Sequence, residues 1–272
     1  MSLAEYTDVS LEIEDPVAVV TLRRPEKLNA FTYHTLAEVQ RAVDAAVADR
    51  RVVGIVITGE GRAFSAGLDS QALIDVTAAE ASAPGSRSGV PGPEIPGLFT
   101  YLLAVPKPVI AAVNGVAAGG GFVLAAKCDV RIAAANASFT TVFMKRGLIG
   151  EHGMTWLLPR LVGPGRAMDL LMTSKRIDAA EAHRIGLVEY VCAEGEDVVE
   201  RARQYVREVA ANIAPLAFAE TKSLMYAHMG ADYERAFREA DAVQWKAVGR
   251  PDATEGARAL IEKRAPKFER LG

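Results

Sequence analysis

Two glycine-containing turns carry the backbone groups with the clearest chemical potential in this sequence. One is the run Ala63–Asp69, and the other runs from Asn114 to Gly121 and ends in consecutive glycines. Each follows an apolar run and can open a helix, whose first N–H groups have no partner within the helix. Two such groups that converge on one oxygen form an oxyanion hole, which stabilises an enolate. Tight-turn geometry alone would explain a single turn, but the pairing favours the chemical interpretation.

Signatures of nucleotide hydrolysis and metal catalysis are missing from the sequence. There is no GxxxxGK[ST] loop, no GxGxxG after a strand, no HExxH and no cysteine–histidine cluster with zinc spacing. We therefore expect neither a metal nor a prosthetic group. Ser65 and Cys128 are the conceivable nucleophiles. Ser65 lies outside a GxSxG elbow and Cys128 leads into a buried strand, so packing explains both better.

Composition excludes several classes of protein. Hydrophobic residues make up 50% and charged residues 24% of the 272 positions, as in ordinary globular domains. With 31 Lys+Arg against 34 Asp+Glu, the chain lacks the basic excess typical of nucleic-acid or membrane-surface binding. The uncharged stretch 108–126 is long enough to span a membrane, but its glycines and Asn114 argue against a lipid-facing helix.

The compartment can also be inferred. Two cysteines cannot build a disulfide framework, and the N-terminal residues show no apolar core of a signal peptide. We therefore expect a cytoplasmic protein.

Apolar patterns predict strands that alternate with helices in the first two-thirds of the chain. Asp15 and Pro16 predict the turn of an initial hairpin, and Thr32 is a candidate N-cap for a helix that reaches Arg50. The predicted strands are Val9–Ile13, Val17–Leu22, Val52–Thr58, Pro108–Val113 and Val130–Ala134, with a short helix at Gly121–Lys127. The recurring order of strand, glycine turn, helix and strand predicts stacked ββα units.

The rest of the chain differs in pattern. Residues 75–97 are rich in proline and glycine, which predicts a loop that serves either as a lid or as a tolerated insertion. Helical periodicity dominates the C-terminal quarter, at Asp197–Ala211, Leu216–Met229, Asp232–Val248 and Thr254–Lys263. This segment is too small to fold alone, so we expect it to dock on the core or on another subunit.

Ordered motifs along most of the chain resemble those of the enoyl-CoA hydratase/isomerase (crotonase) superfamily. They are Arg62–Asp69, Lys107–Gly115, Ala118–Gly121, Cys128–Ala133, Leu158–Gly163, Ile185–Val188 and Glu262–Arg264. The resemblance implies an α/β fold, a crotonase-like spiral of ββα repeats over residues 1–195. It also implies a C-terminal helical trimerisation segment over 196–272, homotrimers that often pair as hexamers, and acyl-CoA thioesters as substrates in fatty-acid metabolism.

The resemblance also assigns binding residues by position. It places the oxyanion-hole N–H groups at Leu68 and Gly120. Coenzyme A, as part of the substrate, would contact Lys27 and the backbone near Ala66 and Asp69, with Leu260 and Lys263 as candidates in the C-terminal segment. Taken alone, the two lysines are more simply interpreted as solvated surface charges.

One departure from the family pattern bears on the reaction. The two glutamates of a hydratase fall here on Val123 and Phe143, which cannot transfer protons. Glu151 instead occupies the position of the single catalytic glutamate in the peroxisomal type of Δ3,Δ2-enoyl-CoA isomerase. Burial among Phe143, Leu148 and Trp156 would raise the pKa of Glu151, as such a base requires. The sequence therefore favours an isomerase over a hydratase.

Alternatives remain for Glu151 and its neighbour. A carboxylate at a helix N-terminus is stabilised by the helix dipole alone. His152 could relay a proton, but adjacent residues on a helix diverge by about 100° and would not both face the substrate. The rival functions are a divergent hydratase or thioester hydrolase that uses Glu151 with His152, and a non-catalytic acyl-CoA binding protein.

Overall fold

The structure is a computed structural model that describes residues 6–72, 74 and 98–272. The loop expected at 75–97 lies outside these residues. The strands are β1 Val9–Glu14, β2 Val17–Leu22, β3 Gly54–Gly59, β4 Ala63–Ser65, β5 Val109–Val113, β6 Val116–Ala118, β7 Val130–Ala133, β8 Ser138–Thr140, β9 Ile177–Asp178 and β10 Tyr190–Val191. The helices are α1 Tyr33–Ala48, α2 Gly120–Lys127, α3 Met154–Val162, α4 Pro164–Thr173, α5 Ala179–Arg184, α6 Val198–Asn212, α7 Pro215–His228, α8 Tyr233–Val248 and α9 Pro251–Glu262.

Successive strand pairs divide between two sheets. The larger sheet has the order β1-β2-β3-β5-β7-β10 and the smaller one β4-β6-β8-β9. Each of the pairs β3/β4, β5/β6 and β7/β8 therefore contributes one strand to each sheet. Strands β3, β5 and β7 pair in parallel, as do β4, β6 and β8. This arrangement is the predicted spiral of ββα repeats, and the α/β fold class is confirmed.

The central strands are buried on both faces. Every residue of β3 and β5 is buried, which explains why their sequences are continuous apolar runs without alternation. Helix α1 covers one face through Val39, Val43 and Ala46, at the helical spacing of the prediction. The core is therefore built from these strands and the apolar face of α1.

Helix α1 shows where the sequence pattern was accurate and where it was not. Thr32 caps its N-terminus as predicted, since its side chain accepts from the Thr35 N–H. The helix ends at Ala48, short of the predicted Arg50. Buried Lys107 donates from Nζ to the carbonyls of Ala46 and Asp49, at 3.2 and 2.8 Å, and satisfies the end of the helix.

Some short strands and helices were not predicted from the sequence. Strands β4, β6 and β8 have three residues each, too few to display a period, and helices α4 and α5 were not predicted. Helix α9 begins at Pro251, earlier than the predicted Thr254, because proline fits the first turn of a helix.

Two of the C-terminal helices, α6 and α7, dock on the core. Val206 of α6 packs so closely on β3 that a Cβ atom at Gly54 would lie 2.8 Å from its Cγ1. In α7, buried Lys222 forms an ion pair with Asp129, with Nζ 2.7 Å from Oδ2. The stretch 108–126 folds as β5, β6 and most of α2. Among the described residues, we find no helix that is long and apolar enough to cross a membrane.

Candidate active site

The two glycine turns pack directly against each other. A Cβ atom at Gly67, where φ is +91°, would lie 2.7 Å from the Ala118 carbonyl oxygen and 2.8 Å from the Gly120 nitrogen. A Cβ atom at Gly121 would lie 2.2 Å from the Ser65 carbonyl oxygen. Any side chain at either position would clash with backbone, so both glycines are required for this approach.

The N–H groups of Leu68 and Gly120 lie side by side. Phe31 pairs with the first turn on both sides of Leu68, donating to the Gly67 carbonyl at 2.7 Å and accepting from the Asp69 N–H at 2.8 Å. Neither the Leu68 nor the Gly120 N–H has a hydrogen-bond acceptor within the described residues. Gly120 is the first residue of α2, where the helix leaves its N–H groups unpaired. The arrangement provides the two adjacent donors that an oxyanion hole requires.

An aromatic contact connects these donors with the turn that carries Glu151. The Phe31 ring lies 3.4 Å from the Cβ position of Gly120, and its centroid is 5.2 Å from that of Phe99. The preceding residue, Leu98, donates from its N–H to Nδ1 of His152 at 3.3 Å. A chain of contacts through the two phenylalanines and Leu98 therefore links the oxyanion-hole candidates to the Glu151–His152 pair.

Glu151 lies in the turn before α3 rather than on the helix. Its carbonyl accepts from the Met154 N–H at 3.0 Å, and no described helix N–H donates to its carboxylate. The side chain is 32% exposed. Burial raises its pKa, and the positive charge of Arg146 opposes this increase. The predicted direction of the pKa shift is therefore confirmed.

The three predicted neighbours of Glu151 differ in their exposure. Phe143 is buried and Leu148 half-buried, but Trp156 is exposed and stacks on Arg160, whose guanidinium carbon is 4.2 Å from the ring centroid. Trp156 lies in the first turn of α3, and its part in the burial of Glu151 stays a prediction.

The His152 ring lies beside the Glu151 carboxylate. Diverging side chains were predicted for a helix, whereas His152 has a left-handed backbone with φ of +54°. Its Nε2 lies 3.7 Å from Oε2 of Glu151. Burial lowers the pKa of His152 to about 4, with a smaller effect of the positive charge of Lys127. The ring is therefore neutral at physiological pH.

The candidate residues for coenzyme A fall into two groups. Ala66 donates to the Leu28 carbonyl at 2.9 Å, next to exposed Lys27, and Asp69 lies one residue beyond Leu68. The structure thus gathers these three around the first glycine turn. Leu260 and Lys263 lie exposed at the end of α9, and within the described part of the chain no hydrogen bond or ion pair joins them to the first group.

Two residues at the site were missed by sequence reasoning. Arg24 approaches Asp69, with Nη2 3.5 Å from Oδ2. Lys127 is buried at the C-terminus of α2 and donates from Nζ to Oγ1 of Thr100. A charge within the apolar run of α2 is a signal that could have identified Lys127, whereas nothing in the sequence marks Arg24 beyond its place near Lys27.

The proposed nucleophiles are occupied by structural contacts, as predicted. Ser65 donates to the Asn29 carbonyl at 2.7 Å and accepts from the Gly67 N–H at 3.1 Å. Burial raises the pKa of the Cys128 thiol to about 12, which leaves it protonated and unreactive. Among the residues described here, no group of three His, Cys, Asp or Glu side chains could hold a metal ion.

Comparisons with known proteins agree with the motifs. The family model described as enoyl-CoA hydratase/isomerase matches residues 12–270. A crotonyl-CoA hydratase of Syntrophomonas wolfei is 40% identical over 268 residues, which cover 97% of this chain and 98% of that protein. The 1,2-epoxyphenylacetyl-CoA isomerase of Escherichia coli is 35% identical over 266 residues, 94% of this chain and 96% of the relative. The crystal structure of an enoyl-CoA hydratase from Mycobacterium tuberculosis superposes with a TM-score of 0.84 at 31% identity, covering 96% of this chain and 98% of that one.

Proposed function

The chain belongs to the enoyl-CoA hydratase/isomerase family, and on this basis we propose that it isomerises 3-enoyl-CoA to 2-enoyl-CoA thioesters with Glu151 as the only acid and base. Enzymes of this family act on CoA thioesters without a prosthetic group. Coenzyme A therefore enters as part of the substrate, and the protein must supply the proton transfer and the charge stabilisation.

The reaction uses each part of the site once. The Glu151 carboxylate removes a proton from C2 of the 3-enoyl thioester, and the electron pair delocalises into a dienolate. The N–H groups of Leu68 and Gly120 stabilise the negative charge on the thioester oxygen. The Glu151 carboxylic acid then returns the proton at C4, which moves the double bond from C3–C4 to C2–C3. A raised pKa suits Glu151 to both steps, because it strengthens the base and keeps the acid available.

The observation that carries this proposal is the distribution of carboxylates. Val123 and Phe143 are buried and apolar at the positions where hydratases of this family have their glutamates, while Glu151 is half-buried with a raised pKa. Hydration needs a group that activates water and a group that protonates the α-carbon, whereas isomerisation needs one group that does both transfers in turn. The E. coli relative is named an isomerase of 1,2-epoxyphenylacetyl-CoA, so the family includes isomerases of CoA thioesters as well as hydratases.

Hydration is the second candidate, because the S. wolfei and M. tuberculosis relatives are named hydratases. A divergent hydratase or a thioester hydrolase would have to activate water with Glu151 and His152. We rank this candidate second because burial keeps His152 neutral with a very low pKa, so it is a weak base.

Assays with purified protein separate these functions. We expect the protein to convert 3-enoyl-CoA thioesters to 2-enoyl-CoA, and chromatography measures the products for several acyl chain lengths. The Glu151→Gln variant should lose this activity. Conversion of 2-enoyl-CoA to 3-hydroxyacyl-CoA as the dominant reaction would overturn the proposal in favour of a hydratase. Release of free coenzyme A would indicate a hydrolase, and calorimetric binding of acyl-CoA without any turnover would indicate a binding protein.

We also propose that residues 196–272 assemble the protein into a trimer or a pair of trimers. The support is a set of exposed apolar side chains in α8 and α9, at Tyr233, Phe237, Trp245, Val248, Leu260 and Ile261. Sedimentation equilibrium tests this assembly, and a monomer at micromolar concentration would contradict it.

The candidate coenzyme A contacts have their own test. Lys27→Gln and Lys263→Gln should raise KM with little change in kcat, because the lysines would bind the coenzyme A phosphates equally in the ground and transition states.

A further inference from the structure

The ring of His152 is fixed from the side opposite Glu151. The Leu98 N–H donates to Nδ1 at 3.3 Å, so Nδ1 acts as an acceptor and carries no hydrogen. A neutral imidazole then has its hydrogen on Nε2. Because Nε2 lies 3.7 Å from Oε2 of Glu151, this N–H is the group of His152 that faces the carboxylate.

Burial and, to a smaller extent, the positive charge of Lys127 favour the neutral form of the ring. Lys127 is 3% exposed and held by Thr100, two residues beyond Leu98, and its positive charge acts on His152. The positive charge of Arg146 acts on Glu151. An imidazolium would form an ion pair with Glu151 and reduce its basicity strongly. A neutral N–H donor orients the carboxylate at a much smaller loss of basicity.

The backbone of the turn brings the two side chains together. His152 and Gly153 are consecutive left-handed residues, with φ of +54° and +77°. Left-handed backbone is unfavourable for a residue with a side chain, although histidine tolerates it better than most. Such conformations persist where the surroundings hold them, often at functional sites. Here the bond from Leu98 is a contact that holds the ring in place.

We propose that His152 is a positioning residue whose Nε2–H holds one carboxylate oxygen of Glu151 and leaves the other oxygen free to take the substrate proton. The inference deepens the proposed isomerase function and rests on it. The distance of 3.7 Å exceeds a hydrogen bond. Rotation of the carboxylate closes this distance when substrate enters, as catalytic hydrogen bonds commonly tighten in the complex.

Positioning accounts for the geometry better than a proton relay does. A relay through the ring would need Nδ1 to exchange a proton with a second group, but Nδ1 is occupied by the Leu98 N–H. A ring with a pKa of about 4 also takes up protons poorly at physiological pH. His152 therefore acts through Glu151 and does not itself carry the substrate proton.

Two amide variants separate the two nitrogens of the ring. Asparagine places its amide oxygen two bonds from Cβ, as Nδ1 is, and tolerates left-handed backbone, so His152→Asn keeps the bond from Leu98 and removes the donor to Glu151. Glutamine places its amide nitrogen three bonds from Cβ, as Nε2 is, so His152→Gln keeps a donor toward Glu151.

With 3-enoyl-CoA we expect His152→Asn to lower kcat on the order of tenfold, below the roughly hundredfold loss that a 1 Å misplacement can cause. The acid limb of its kcat profile should move to higher pH, because a carboxylate that loses a donor gains a higher pKa. His152→Gln should restore most of the rate and bring the acid limb back to the pH at which the parent shows it. A His152→Asn variant with the rate and pH profile of the parent would overturn the proposal.

Nuclear magnetic resonance tests the proposal without any turnover. The ring nitrogens of His152, assigned by their loss in His152→Asn, should report the Nε2–H tautomer. The side-chain carboxyl carbon of Glu151, assigned through Glu151→Gln, should titrate at higher pH in His152→Asn than in the parent. If this titration moves but 3-enoyl-CoA is not turned over, the positioning stands and the isomerase function fails. An Nδ1–H tautomer, or an unchanged Glu151 titration, would overturn the positioning role.

Discussion

The backbone nitrogen of Leu68 lies 3.6 Å from the point that a Cβ atom of Gly120 would occupy. The N–H of Leu68 is held in place by the two hydrogen bonds of Phe31 to the flanking residues, and the N–H of Gly120 by the start of α2. In the proposed reaction both would stabilise the enolate through the main chain, so the side chain of Leu68 can be an ordinary apolar one. The chemistry of this region is accordingly tested better by removing an N–H than by trimming a side chain.

Gly120→Pro should lower kcat by about 10² to 10³ relative to Gly120→Ala, because it deletes one of the two proposed oxyanion-hole donors. Proline is well tolerated at the first position of a helix, and a Cβ atom here meets the Phe31 ring at an ordinary 3.4 Å. The alanine variant has the same added Cβ but keeps the N–H, so it controls for volume. Steady-state kinetics on 3-enoyl-CoA measure the ratio, and circular dichroism checks the fold. Equal rates for the two variants would remove Gly120 from the oxyanion hole.

Leu68→Ala should change kcat less than Gly120→Pro does, since the Leu68 N–H stays in place between the hydrogen bonds of Phe31. The same kinetic assay measures it. A loss of kcat as large as that of Gly120→Pro would mean that catalysis at this position depends on the leucine side chain rather than on its N–H.

Arg146→Gln should move the acid limb of the kcat/KM profile to higher pH. The proposed proton abstraction needs the ionised Glu151. Burial raises the pKa of this carboxyl group, and the charge of Arg146 lowers it. Without that charge the carboxylate protonates at a higher pH, so activity is lost sooner on acidification, while the plateau above the limb stays unchanged. Exposed Lys145 is the matched control, and Lys145→Gln should leave the limb in place. If neither variant moves it, the ionisation that controls the rate is not that of Glu151.

The spiral could be predicted because its repeated parts leave strong traces in the sequence. Buried strands such as β3 and β5 are continuous apolar runs, and the close approach of backbone at Gly67 and Gly121 admits only glycine. Local sequence therefore predicted both the strands and the glycine turns at which the unpaired N–H groups lie. The three-residue strands of the smaller sheet left no such trace, because their pairing depends on partners distant in the chain.

The surroundings of Glu151 were less predictable. The orientation of His152 depends on a left-handed residue and on an N–H from Leu98, which is 54 positions away in the chain. Periodicity treats both residues as the beginning of a helix and separates their side chains. Lys127 reaches the same region only because α2 packs beside Thr100. Such contacts arise from tertiary structure, and a single sequence does not display them.

Thiol reagents should leave both cysteines unmodified in the native protein at pH 8. Burial raises the pKa of Cys128 to about 12 and that of Cys192 to about 11, so the reactive thiolate is scarce at that pH. Colour development with a disulfide reagent measures the modification, and denatured protein provides the full signal as a control. Rapid modification of Cys128 in the native state would show that its site opens, and would weaken the assignment of this cysteine to packing.

Breaking the buried pair of Asp129 and Lys222 should destabilise the protein strongly. The pair joins α7 to the core, with Lys222 3% exposed, and the Val109 N–H also donates to Asp129. Lys222→Met leaves a buried carboxylate without its cation, and we expect a loss of about 3 to 5 kcal/mol in the free energy of unfolding. Burial raises the pKa of Asp129 and lowers that of Lys222 despite their contact, so the ion pair compensates desolvation only in part.

The double variant Asp129→Asn with Lys222→Met should therefore be more stable than the sum of the single losses predicts. Urea unfolding at one fixed protein concentration measures the cycle, since assembly would otherwise contribute to stability. The exposed pair Glu181 and Arg184 is the control, and Arg184→Ala should change the unfolding midpoint little. Additive losses in the double variant would mean that Asp129 and Lys222 do not interact energetically, and that apolar packing alone docks α7 on the core.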